Sequence, residues 1–295
     1  MLFRKLARAS VLGLFAVAPA LLSLPAQAAS DYTVPFPAHH VAGNVYFVGT
    51  KGQANYLITT PEGNILVNSG LETTLPLTKA SIAKLGFKYS DTKILLISHA
   101  HFDHDAASAQ VVKDTGAKYE VMDADVPVVQ SGGKTDFQYG ARGGENLYPP
   151  VKVDRVLHDG DTVSLGGTVL TAHLTPGHTK GCTTWTLKVK DGGKLLDVVI
   201  VGSPNVNPGY VLVGNKLYPQ IAQDFEKTFQ VLKALPVDVF IGAHGAYYGM
   251  DAKVAQMKAG GPNVFVDPAG YKAYVADRET AFRKELARQQ AGGKP

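Results

Sequence analysis

Lys93-Ile94-Leu95-Leu96-Ile97-Ser98-His99-Ala100-His101-Phe102-Asp103-His104 is the stretch on which the reading of this chain turns. A β-branched, apolar run leads directly into three histidines and an aspartate. Such a run reads as a buried strand. The polar cluster then falls in the loop at the strand's C-terminal end, where open α/β sheets usually bind ligands. His99 and His101 are two residues apart, so in an extended segment their rings leave the same side. Asp103 and His104 follow where a turning backbone can aim them at a second point nearby. Neutral imidazole and carboxylate together suit zinc. One ion with three protein ligands leaves a position open for water, and two ions about 3.5–4 Å apart can share that water.

The chain has 295 residues, 45% of them hydrophobic and 18% charged. That is a globular composition with ample core. Arg4, Lys5 and Arg8 precede an apolar run from Val11 to Leu24, and Ala26-Gln27-Ala28 resembles a small-x-small cleavage site. Residues 1–28 therefore read as a secretory signal peptide, too short in its apolar part to span a bilayer. Residues 29–295 are left as the mature chain. Removing the three basic residues of the leader takes the net charge from +4 to +1. No sustained basic patch remains, which excludes nucleic acid as a partner. Cys182 is the only cysteine, so no intramolecular disulfide can form, and it reads as a small buried residue.

Working outward, strands are expected at 45–48, 55–58 and 64–67, separated by Gly- or Pro-containing turns. His39 and His40 precede them and read as exposed. A helix is expected over 73–86. It contains Ser81-Ile82-Ala83-Lys84, and Ser131-Gly132-Gly133-Lys134 repeats the pattern. Both match Ser-x-x-Lys, but no Ser-Asp-Asn or Lys-Thr-Gly partner follows, and both are rejected as nucleophiles. Beyond the histidine cluster, 105–115 reads as a helix, 118–122 as a strand and 123–129 as a short helix. Residues 131–150 are irregular, Gly-rich and carry Phe137, Tyr139, Leu147 and Tyr148. This is either a lid whose aromatic tips cover a substrate or a surface loop with its aromatics tucked in.

Strands resume at 152–156, 162–165 and 168–174. His158, in a turn, and His173, in a strand, read as structural. In Thr175-Pro176-Gly177-His178 the proline and glycine set a tight turn, and His178 sits where a third ligand to the first ion is needed. Strands at 183–188 and 195–201 lead to the polar loop Gly202-Ser203-Pro204-Asn205-Val206-Asn207-Pro208-Gly209-Tyr210. A helix over 218–234 carries Ile221, Phe225, Phe229 and Leu232 on one face. The strand 237–241 ends in Gly242-Ala243-His244, and Asp267-Pro268 opens a last amphipathic helix. Polar groups thus stand at four strand ends: 99–104, 178, 203–207 and 244. Two sheets face to face with helices outside would gather them, in a single domain whose halves repeat a strand–helix pattern.

These positions resemble the metallo-β-lactamase superfamily across nearly the whole mature chain. The resemblance rests on His99-x-His101-x-Asp103-His104, then His178, then His244. It implies an α/β fold, an αββα sandwich of two mixed β-sheets, with a two-metal site on one edge. Ser203 stands where other subfamilies carry a bridging Asp or a Cys. With His104 after Asp103, Gly181-Cys182-Thr183-Thr184-Trp185 and Asn207-Pro208-Gly209-Tyr210, it is similar to the B3 subclass. The resemblance implies two Zn2+ ions, the first held by His99, His101 and His178 and the second by Asp103, His104 and His244. It implies hydrolysis of the β-lactam amide by a metal-bound hydroxide, with no covalent intermediate and with Asp103 orienting the nucleophile. Ser203 would bond a water on the second zinc. A second serine seen in some members is missing, and Asn205 or Asn207 would meet the substrate carboxylate. The expected partner is a small-molecule β-lactam met by a monomer in the periplasm, free of the membrane once the leader is cleaved. The alternative is a metal hydrolase of the same fold acting on a lactone, thioester or sulfate ester.

Overall fold

The computed structural model describes residues 31–258 and 260–295. The signal-peptide reading of 1–28 lies outside the described residues. Two sheets carry the architecture. The first runs in the order β1 (His39–Ala42), β2 (Val45–Phe47), β3 (Tyr56–Thr60), β4 (Gly63–Val67), β5 (Thr92–Leu96), β6 (Lys118–Met122) and β7 (Arg155–Leu157). Its first four strands are an antiparallel meander, and β4 to β7 are parallel. The second sheet has the order β12 (Val239–Gly242), β11 (Lys194–Val201), β10 (Thr183–Asp191), β9 (Thr168–Leu174), β8 (Thr162–Leu165). It is antiparallel except for the β11–β12 pair. Both sheets are mixed, and helices cover their outer faces, giving the αββα sandwich.

The period-2 alternation of strand side chains builds these layers. Tyr56, Ile58, Ile65, Val67, Ile94 and Leu96 face the second sheet and share one core with Leu170, Ala172, Trp185 and Leu187. Their neighbours Leu57, Leu66, Leu95 and Ile97 point the other way. There they meet Leu75 and Ile82 of the helix Leu75–Lys84 and Val111 of the helix Ser108–Thr115. On the far side, Phe225 of the helix Ile221–Ala234 stacks with Phe282 of the helix Pro268–Gln290, and Phe229 packs against the same ring at a tilt. At about 25 cal/mol per Å² of apolar surface removed from water, this two-sided burial is the main stabilising term.

Several expectations are shifted. The strand read at 152–156 begins only at Arg155, because Asp154 turns back to accept from the Tyr119 amide (3.0 Å). The helix read over 105–115 is two helices, Phe102–Asp105 and Ser108–Thr115. Asp103 and His104 therefore ride the first turn of a helix. His39 is buried, not exposed: its ring stacks between Phe47 (4.9 Å) and Phe265 (5.4 Å), since strand pairing with Phe47 carries it into the core. His40 is exposed as expected.

Hydrogen bonds between the sheets fix the site edge. The Trp185 indole Nε1 donates to Ile97 O (3.0 Å), two residues before His99. The Thr183 amide donates to Ser98 O (2.7 Å). Tyr56 Oη donates to Gly242 O (2.8 Å), two residues before His244. The strand ends that lead to His99 and to His244 are thus each tied to the opposite sheet.

Candidate metal centre

His99, just past β5, and His101 meet with ring centroids 4.8 Å apart. His178 closes the group at 4.6 Å from His99 and 4.8 Å from His101. One potential ligand atom from each of these three lies within 4.8 Å of the others. His178 is aimed by its turn. Gly177 has φ +122°, and a Cβ there would stand 2.7 Å from the Phe225 ring, so the close approach of this turn to the helix requires glycine. Beside this group, Asp103 Oδ2 stands 3.3 Å from His104 Nε2 and 3.5 Å from His244 Nε2. The two Nε2 atoms face one another at 3.1 Å. All six residues singled out as ligands therefore gather at one edge of the sandwich.

The donor set fits a divalent metal. His178 Nδ1–H donates to Asn205 O and His244 Nδ1–H to Gly52 O, each at 2.8 Å, which leaves Nε2 bare on both rings. This outward hydrogen bond is how metal-ligating histidines are commonly held. Burial, reinforced by the neighbouring histidines, holds His99 and His178 well below the usual imidazole range. The same causes bring His244 down to about 4. Asp103 is held well below the usual carboxylate range: burial opposes its ionisation, but the charge and hydrogen bond of His104 outweigh it. These donors are deprotonated at neutral pH, the form that binds zinc. His104 Nδ1 and His101 Nε2 are buried without hydrogen-bond partners.

A cavity of about 680 Å³ opens over this centre, walled by His101, Asp103, His178 and His244 with Tyr32, Tyr139 and Tyr247. Asn205 and Asn207 line it too. Asn205 Oδ1 accepts from Arg278 (3.4 Å), and Asn207 Nδ2 donates to Tyr139 Oη (2.9 Å). Ser203 does not line it. Its Oγ lies 3.1 Å from Tyr247 Oη, and the serine is covered over. The 131–150 loop divides between its two readings. Phe137 packs edge-on against Tyr210 and Tyr218, and Tyr148 donates to Ala100 O (2.8 Å), so both are tucked in. Tyr139 reaches the cavity. His158 and His173 stand apart from the centre, His173 against Thr186 Oγ1 (2.7 Å), and neither Ser-x-x-Lys match lines the cavity. Cys182 is buried, which pushes its thiol up, and its Sγ accepts from the Ser203 amide (3.1 Å).

Three residues of this region carry no sequence signal of their own. Tyr32 stacks on His244 at 6.0 Å from a segment far upstream. Asp125 accepts from the Ala100 amide (3.0 Å), Thr179 Oγ1 (2.8 Å) and the Gly181 amide (2.8 Å), bridging the two ligand-bearing loops. Burial pushes its carboxyl up to about 6 against the pull of those bonds. Asp136 lies beside His101. Burial opposes its ionisation, but the interaction with His101 holds its carboxyl below the usual value.

The fold and the histidine cluster define a class. A profile of the metallo-beta-lactamase superfamily matches residues 48–244, and the chain belongs to that superfamily. Solved structures narrow the likeness to its B3 subclass. The chain is 54% identical to the native FEZ-1 metallo-beta-lactamase from Legionella gormanii, over 88% of this chain and 98% of that one, with a TM-score of 0.86. It is 40% identical to BJP-1, a subclass B3 metallo-beta-lactamase of Bradyrhizobium japonicum, over 90% and 99% of the two chains, with a TM-score of 0.84. It is 36% identical to LRA-12, a class B3 di-zinc metallo-beta-lactamase from an Alaskan soil metagenome, over 86% and 96%, with a TM-score of 0.81.

Proposed function

We propose that this chain is a two-zinc β-lactamase that opens the β-lactam amide. The observation that carries the reading is the gathering of His99, His101, His178, Asp103, His104 and His244 beneath one cavity, in a chain with the fold of B3 enzymes. His99, His101 and His178 would hold the first zinc, and Asp103, His104 and His244 the second. Bound zinc supplies an acidified water as nucleophile at neutral pH and polarises the carbonyl. Asp103, ionised at that pH, orients the attacking water. From the cavity wall the Asn205 side chain, its oxygen held by Arg278 and its nitrogen beside the Tyr247 and Tyr274 hydroxyls, would donate to the substrate carboxylate. Asn207 acts more indirectly, through Tyr139. Ser203 supports Tyr247 in the cavity wall and takes no part in attack.

The basic start, apolar run and Ala26-Gln27-Ala28 support secretion to the periplasm, with residues 29–295 acting as a single monomeric domain. Among the described residues no helix is long and apolar enough to cross a membrane. A hydrolysis panel tests the function: a penicillin, a cephalosporin and a carbapenem against a lactone, a thioester and a sulfate ester. The β-lactams are expected to turn over fastest. Turnover of one of the other three with no β-lactam hydrolysis would replace this reading.

A further inference from the structure

His101 presents an unfinished contact. Its Nε2 is buried without a hydrogen-bond partner, and Asp136 Oδ2 lies 3.7 Å away. A histidine that binds metal through one ring nitrogen generally gives the N–H of the other to an acceptor, often a carboxylate, which fixes the tautomer and the ring. Asp136 is itself only 7% exposed, so it faces His101 in a nearly dry setting. Its second oxygen is already committed: Oδ1 accepts from the amides of Gln138 (2.9 Å) and Tyr139 (2.6 Å). Those amides belong to the turn that brings Tyr139 into the cavity. The Tyr139 ring stands edge-on to His101 at 4.9 Å and its hydroxyl accepts from Asn207, while Gln138 Nε2 donates to Gly209 O (3.1 Å). One carboxylate therefore holds the seat of the overhanging loop and faces a ligand ring across 3.7 Å.

We propose that Asp136 is a positioning residue that couples the first metal site to the 131–150 loop. Through Oδ2 it holds the His101 ring by Nε2, leaving Nδ1 for the metal, and through Oδ1 it keeps the Tyr139 turn seated. Coupling of this kind is reciprocal: metal that favours the seated loop is favoured by the seated loop to the same factor. The inference rests on the two-metal reading of the site but not on the identity of the substrate.

Asp136→Asn separates the two tasks. The amide oxygen can still accept from the turn, but a neutral amide replaces the charged acceptor at His101. Zinc affinity of the purified protein is measured by competition with a chelating dye, and amide exchange of residues 137–142 with and without zinc. The variant is expected to lose about 10–100-fold in affinity at one of the two sites. The other site and the Tm of the metal-free protein should hold, and zinc should slow exchange of the turn in the wild type but not in the variant. A purely structural role would lower the metal-free Tm and weaken both sites together. That result, or wild-type affinity at both sites, overturns the proposal. Should Asp136→Asn fail to fold, Asp136→Ser, able to accept from the turn but too short to reach His101, gives the same comparison. A wild type that binds two zinc ions yet spares every β-lactam would remove the proposed function and leave this test intact.

Discussion

Asp125 makes the sharpest demand on the structure. Asp125→Ala removes the shared acceptor of the Ala100 amide, Thr179 Oγ1 and the Gly181 amide. Each buried donor left unpaired costs about 1–3 kcal/mol. Thr179 can rotate to a new partner, but the two amides cannot, so a gross loss of about 2–6 kcal/mol is expected. Opposing this, the variant no longer buries a carboxylate. The Asp125 carboxyl rises from 3.8 unfolded to about 6 folded. Its contribution is therefore fully present below about pH 3.8 and is lost as pH rises through 6. Near neutral pH that relief is about 3 kcal/mol at most, leaving a net deficit of about 1 kcal/mol at the middle of that range. At pH 5 the deficit should be wider by about 1 kcal/mol than at pH 7.5. Thermal unfolding of the metal-free wild type and variant at the two pH values reads this directly, at about 2–4 °C of Tm per kcal/mol for a domain of this size. A variant as stable as wild type at pH 5, or a deficit that widens with rising pH, would refute the bridging role.

Ser203→Ala should cost about 1–2 kcal/mol, from the lost bonds to Tyr247 and the Asn205 amide, and should change kcat by less than about threefold. A hundredfold fall in steady-state turnover would return Ser203 to the metal. Trp185→Phe strips the bond to Ile97 O and leaves a void between the sheets, so the Tm should fall by about 5–10 °C. A fall of under 2 °C would mean that this bond does not tie the sheets at the site edge.

What was legible in the sequence follows from how locally each feature is encoded. His99, His101, His178 and His244 each follow a segment whose own pattern predicts a strand or a tight turn, so their placement at one edge could be read from local order alone. The two-sheet arrangement follows from the same alternation that sends Leu57, Leu66 and Leu95 to the helices and their neighbours inward. Asp125 was not legible, because its partners are 25 to 56 residues away and only the fold assembles them. Tyr32 is far more remote still from His244 in sequence. His39 was misread because two adjacent histidines behind a proline-containing stretch show no strand alternation of their own, whereas its burial is decided by pairing with Phe47. Ser203 illustrates the opposite limit. Its position in the strand-end loop was read correctly, but the direction of a hydroxyl depends on Tyr247, which arrives from beyond β12.

Metal held by these six side chains is proposed to open a β-lactam. The most direct measurement is the initial hydrolysis rate of a carbapenem and a cephalosporin by the zinc-loaded protein, again after a chelator, and again after zinc is returned. The expected result is turnover that the chelator abolishes and zinc restores. Turnover indifferent to the chelator, or none at a confirmed occupancy of two zinc ions per chain, would contradict it.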